Sequence, residues 1–81
     1  MNIYIGNINY EATEEDLTSL FQQFGTVDSV KIVVDRHTDQ SKGFGFIEMP
    51  KDSDAETAIS SLNNTEFMGR TIKVNRAQER R

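Results

Sequence analysis

Residues 42 to 49, Lys42-Gly43-Phe44-Gly45-Phe46-Ile47-Glu48-Met49, carry apolar side chains in both registers of an extended chain. Successive side chains of a strand point to opposite faces, so Gly45, Ile47 and Met49 share one face while Phe44 and Phe46 share the other. One small core can cover only one of them. The inverted register would put Ile47 and Met49 in water and leave Gly45 on the outer side between two buried rings, so the rings are read as outward. The first strand repeats the arrangement: Ile3 and Ile5 alternate with Tyr4, which places Tyr4 outward as well. Three aromatic rings are therefore expected on a sheet face that no helix covers.

The rest of the chain supplies the layer for the opposite face. Residues 2 to 6 read as a strand closed by Gly6-Asn7. Thr13-Glu14-Glu15-Asp16 is a helix start, with Thr13 as N-cap, Asp16 in the capping-box position and acids in the first turn. Leu17, Leu20, Phe21 and Phe24 follow on one helical face, and Gly25 ends the pattern. A second strand is expected from Val27 to Asp35, with Val30, Ile32 and Val34 on one side and Lys31 and Val33 on the other. Residues 36 to 41 then form a hairpin loop, and Lys42 to Met49 is the third strand, stopped by Pro50. Ser53-Asp54-Ala55-Glu56 reads as a second capping box ahead of Ala55, Ala58, Ile59 and Leu62, and Asn63-Asn64 stands where a glycine would usually end the helix. A small turn at Met68-Gly69 precedes a last strand from Thr71 to Arg76, with Ile72 and Val74 inward. The order βαββαβ, with two one-faced helices and four one-faced strands, predicts an α+β ferredoxin-like sandwich. In it a four-stranded antiparallel sheet carries both helices on one face. The domain is expected over residues 1–77, with 78–81 as a loose basic tail.

Composition narrows the chemistry. The chain of 81 residues is 36% hydrophobic, enough for one small core and too little for a deep enclosed site. It has no cysteine and one histidine, which excludes a disulfide scaffold, a thiol nucleophile and a zinc centre built on cysteine or several histidines. His37 reads as an ordinary loop residue. No nucleophile and base lie in evident reach of one another, so no enzyme, no metal and no cofactor is expected. Apolar runs are short and no basic leader precedes them, so no membrane association is expected and a cytoplasmic monomer is the default.

Three exposed rings are a costly surface unless a flat partner covers them, and unpaired nucleobases are flat, sequence-tolerant partners. Glycines at 43 and 45 are read as leaving room for a base or backbone close to the strand. Gly-Phe-Gly lies within a strand and not at a helix N-terminus, so it is no phosphate-binding loop. At these residues the chain resembles the RNA recognition motif family. Lys42 to Met49 is similar to that family's octapeptide signature, and Ile3-Tyr4-Ile5-Gly6-Asn7-Ile8 to its hexapeptide, on the third and first strands of the same element order. Met49 departs from the usual Phe or Tyr, but its register is inward. The resemblance implies that Tyr4, Phe44 and Phe46 stack on bases or sugars, that Lys42 meets a phosphate, and that Asn75 to Gln78 contact bases.

Net charge is −4, which argues against a generic polyanion binder, so placement must answer for it. Lys31, Arg36, Lys42, Lys73, Arg76, Arg80 and Arg81 fall on expected sheet-face, loop or tail positions, whereas Glu11, Glu14, Glu15, Asp16, Asp52, Asp54 and Glu56 gather at the helix starts. Glu48 falls on the ring face and its role is left open. The expected site is thus Tyr4, Phe44, Phe46, Lys42, Lys31, Lys73, Asn75, Arg76 and Gln78. The expected partner is single-stranded RNA, with weaker binding of single-stranded DNA. The competing expectation is a peptide-binding module of the same fold.

Overall fold

The computed structural model describes residues 1–38 and 41–77, with Ser41 and Lys42 described through their backbone alone. Strand β1 (Asn2–Gly6) and strand β3 (Ser41–Glu48) pair antiparallel at the centre of a four-stranded sheet. Strand β2 (Ser29–Val34) flanks β3, and strand β6 (Lys73–Arg76) flanks β1, which gives the order β2-β3-β1-β6. Alternation works as the sequence implies. Ile3, Ile5, Ile47, Met49 and Val74 are all fully buried on one face, where they meet Leu17 and Phe21 of helix α1 (Glu14–Gln22) and Ala55, Ala58 and Leu62 of helix α2 (Asp52–Leu62). Each large side chain so buried contributes about 1.5–3 kcal/mol. Both helices therefore lie on one side, and the other face of the sheet is open.

Helix α1 begins as expected. Asp16 N donates to Thr13 Oγ1 at 3.1 Å and Thr13 N donates to Asp16 Oδ2 at 3.0 Å, which closes the capping box. Helix α2 does not use its expected box. It begins two residues earlier, with Lys51 as N-cap and no side-chain cap, and Ala55 N donates to Lys51 O at 3.0 Å. Ser53 and Glu56 are then inside the helix. Pro50 releases the chain from β3 directly into the first turn, where Asp52 and Asp54 meet the positive end of the dipole and make the side-chain cap dispensable. At its other end Asn64 takes φ +66°, and Asn63 Oδ1 accepts from Val74 N at 3.0 Å, so the asparagines bond the helix end to β6.

Two further differences follow from local geometry. The ladder between β2 and β3 shifts register between Ile32 and Val34, so Val34 leaves the inward face and is 48% exposed. The expected turn at Met68-Gly69 closes a hairpin, β4 (Glu66–Phe67) with β5 (Arg70–Thr71), which takes Thr71 out of the last strand. Its two-residue loop, Met68-Gly69, has φ +53° and +85°, the positive pair that a tight hairpin turn requires. The hairpin lies outside the main sheet and the last main strand starts only at Lys73. Among the described residues no helix is long and apolar enough to cross a membrane.

Candidate nucleic-acid interface

The open face is built in rows. Tyr4 pairs with Phe46 on one side and with Asn75 on the other, and Phe46 pairs with Lys31, so one row runs Lys31, Phe46, Tyr4, Asn75 across all four strands. At the usual strand spacing that row spans about 14 Å. The next row holds Phe44, Gly6 and Lys73. The ring centroids form a near-equilateral triangle: Tyr4 is 6.0 Å from Phe44 and 6.0 Å from Phe46, and these two are 6.2 Å apart. Tyr4 and Phe44 are inclined by 35°, while Phe46 stands edge-on to both. Phe46 is 39% exposed, and Tyr4 and Phe44 are half-buried largely against their neighbours. The three rings expected to point outward do so together, and Met49 is fully buried as its register required.

Of the base or backbone that the sequence left open, Gly45 admits backbone, while Gly43 admits a side chain. A methyl on Gly45 would strike the carbonyl oxygen of Lys31 and come within 3.1 Å of Ile32 Cα, so this glycine makes room for the backbone of β2 and not for a ligand. Gly43, at φ +85°, lets the ring of Tyr10 approach. The glycine that serves the rings is Gly6, over which the Tyr4 ring lies: a methyl there would meet Tyr4 Cζ at 2.8 Å.

Lys31, Lys73, Asn75 and Arg76 are exposed. Lys73 Nζ reaches Asn64 Oδ1 at 2.5 Å, which holds its ammonium at the β6 edge of the face. Arg76 lies opposite Ile3 in register, the alternation opposite to that of Tyr4 and Asn75, so it stands at the end of the sheet and not in the ring row. Lys42 occupies β3 by its backbone. Gln78, with the tail, falls outside the described residues. Glu48 shares the outer face with Asn2 and Ser29, one row beyond Phe46, and its Oε2 is 3.4 Å from the Met1 amino group. Two of the helix acids serve the fold: Glu14 Oε2 accepts from Ile32 N at 3.3 Å, and Asp16 closes the cap.

A feature missed in the sequence lies beside Phe44. Tyr10, 61% exposed, carries the Arg70 guanidinium 5.5 Å from its ring centroid. Arg70 Nη2 also donates to Asn7 Oδ1 at 3.3 Å. With Phe44 and Gly43 these residues border a concavity of about 260 Å³. Tyr10 sits in a loop without periodicity, so its only sequence signal was an aromatic ring that no helical or strand pattern claims.

A family model for the RNA recognition motif matches residues 3–73. RbpB of Nostoc sp., named as an RNA-binding protein, is 46% identical over 80 residues, spanning 99% of this chain and 78% of the relative. The crystal structure of the RNA binding protein PG1 is similar at a TM-score of 0.96 and 52% identity, covering 100% of this chain and 98% of that one. The RRM of Rna15 with bound RNA (GU) is similar at a TM-score of 0.86 and 31% identity, over 96% of this chain and 83% of its own.

Proposed function

The chain belongs to the RNA recognition motif family, and on that premise we propose that it binds single-stranded RNA on its open sheet face, as a monomer and without chemistry. The observation that carries this reading is the triangle of Tyr4, Phe44 and Phe46, three rings about 6 Å apart on the face the helices leave bare. Each ring offers a stacking partner worth about 1–3 kcal/mol per base. Lys31 and Asn75 close the ends of the Phe46–Tyr4 row, so a strand laid along it meets a cation at one end and an amide at the other. The amide of Asn75 has donors and an acceptor suited to base edges. Lys42 and Lys73 serve phosphates, while Arg76 at the end of β6 and Gln78 after it continue the contact. Loss of the 2′-hydroxyl weakens single-stranded DNA relative to RNA. Formal charge is a small obstacle: Glu14 reaches the β2 edge at Ile32 N, whereas Glu15 and Asp16 belong to the helix layer, and screening acts over about 8–10 Å at physiological salt. A bacterial relative and the absence of a membrane-crossing helix among the described residues support a cytoplasmic setting.

The test is a titration by fluorescence anisotropy of an unstructured RNA and of an A-form duplex of equal length at one salt concentration. Stacking needs unpaired bases, so the single strand binds far more tightly, and Phe46→Ala weakens it by about ten- to a hundredfold with the circular dichroism spectrum retained. Equal affinity for both, or indifference to Phe46→Ala, would overturn the reading.

A further inference from the structure

We propose that Glu48 gives the sheet a base preference: its carboxylate accepts two N–H bonds from the Watson–Crick edge of an unpaired guanine that lies on Phe46. The inference rests on the reading of the sheet as an RNA platform. Among the described residues, Glu48 is the only acid in the four strands of the main sheet, and its register puts it on the open face, one row beyond Phe46. A carboxylate there opposes phosphate, so a bound strand gains from Glu48 only by offering it donors. Those donors are on base edges. Residues two apart on one strand are separated by about 6.6–6.8 Å, so a base on Phe46, turned along β3, brings its edge within reach of the carboxylate.

The chemistry of the edge decides which base. A carboxylate only accepts, at two oxygens side by side. Guanine alone presents two donors side by side on its Watson–Crick edge, N1–H and the N2 amino group. Adenine and cytosine each set one amino donor beside a ring nitrogen that accepts, and uracil sets one N–H between two carbonyls, so all three turn lone pairs toward the carboxylate. Glu48 is also held for the task. Its side chain is 36% exposed, and its Oε2 lies 3.4 Å from the Met1 amino group, which donates to Met49 O at 2.7 Å. Asn2 is the cross-strand partner of Glu48 and Tyr4 that of Phe46, so Met1 approaches from the end away from the rings. The two oxygens accept about four bonds, and among the described residues the Met1 amino group is the one donor to them. A solvated glutamate would weaken RNA binding alike for every sequence. A glutamate that reads guanine weakens it for every base but one.

The experiment measures anisotropy with labelled short uridine strands that carry one variable nucleoside, placed at each position in turn: guanosine, inosine, adenosine, cytidine or uridine. It compares the native chain with Glu48→Gln, Glu48→Ala and Phe46→Ala, each checked by circular dichroism. With the native chain a single guanosine at its best position raises affinity over uridine by about 5- to 150-fold. Inosine, which keeps N1–H and lacks the amino group, falls between the two, and inosine equal to guanosine would overturn the paired bonds. Glu48→Gln turns a donor toward one of the guanine donors, so the guanosine strand weakens, while adenosine and cytidine, whose edges match a carboxamide, gain on it. Glu48→Ala removes the preference. With either variant the uridine strand binds no more weakly than to the native chain, because a negative charge has left the face. Equal gains for every strand would make Glu48 a repulsive charge alone, and equal losses would make it a support of the sheet; both overturn the proposal. A native chain indifferent to guanosine, with binding still lost in Phe46→Ala, refutes the preference and leaves the platform. If the native chain binds no strand, platform and preference both fall.

Discussion

Replacing Gly6 by alanine tests the ring platform without removing a ring. Gly6 sits in β1 between Phe44 and Lys73, and the place of a methyl is occupied by Tyr4, with Cζ at 2.8 Å and Cε2 at 2.9 Å. Non-bonded carbons settle at about 3.5–4.0 Å, so the ring must move by roughly 1 Å. The atoms in the way are the far end of a side chain, which moves by rotating about its own bonds. An off-rotamer ring costs about 0.5–1.5 kcal/mol, and alanine returns about 0.4–1 kcal/mol through a less flexible unfolded chain. Net loss of stability is therefore about 1 kcal/mol or less. Binding changes more: with Tyr4 displaced, one stacked base is lost, about 1–3 kcal/mol or about 5- to 150-fold in affinity. The control is Gly45→Ala, whose methyl would meet the backbone of β2, with Ile32 Cα at 3.1 Å and Lys31 C at 3.2 Å. Backbone in a paired strand cannot swing aside, so β2 and β3 must separate, at about 1–3 kcal/mol or more. Urea titration followed by circular dichroism gives the stabilities, and anisotropy with an unstructured RNA gives the affinities. The reasoning fails if Gly6→Ala binds as the native chain does, or if it loses as much stability as Gly45→Ala.

Other outcomes follow from the same structure. Thr13→Ala opens the capping box at α1 and lowers stability by about 0.5–2 kcal/mol with RNA affinity unchanged, read from paired denaturation and binding curves. Met49→Ala, in a fully buried position, costs about 2–5 kcal/mol in the same denaturation assay, whereas a residue on the RNA face would not. If two to four phosphates are met, the log–log dependence of single-strand affinity on salt has a slope of about −1.4 to −2.8, and Lys31→Gln flattens it by about 0.7. A slope unchanged by Lys31→Gln would remove that lysine from the interface.

The sheet and its helices were legible because their signals are periodic and local. Ile3, Ile5, Ile47 and Met49 declare the buried face by alternation, and Leu17 with Phe21 declares the helix stripe, so the outward register of Tyr4, Phe44 and Phe46 followed by elimination. Thr13 and Asp16 lie three residues apart, within reach of a sequence pattern. What stayed hidden depends on contacts between distant segments. The Ser53-Glu56 pattern looked like a cap, but where a helix starts also depends on how the preceding strand delivers the chain, and Pro50 delivered it at Lys51. Whether Gly45 makes room for a base or for backbone stayed open because nothing in the sequence reports how close β2 comes to it. The β4–β5 hairpin turns on Met68-Gly69, a weaker signal than Asn-Gly, and its strands are only two residues each, too short to show alternation. Tyr10 and Arg70 are 60 positions apart in the chain and meet only because Asn7 and Asn9 bind that hairpin.

The measurement that bears most directly on the central claim is a map of backbone amide chemical shifts during titration with an unstructured RNA. The account places the largest changes at Tyr4, Phe44, Phe46 and Asn75, with Lys31 at the margin, and small changes along α1 from Glu14 to Gln22 and α2 from Asp52 to Leu62. Changes concentrated on the exposed surfaces of the helices, with the three ring-bearing positions unmoved, would put the partner on the other layer and contradict it.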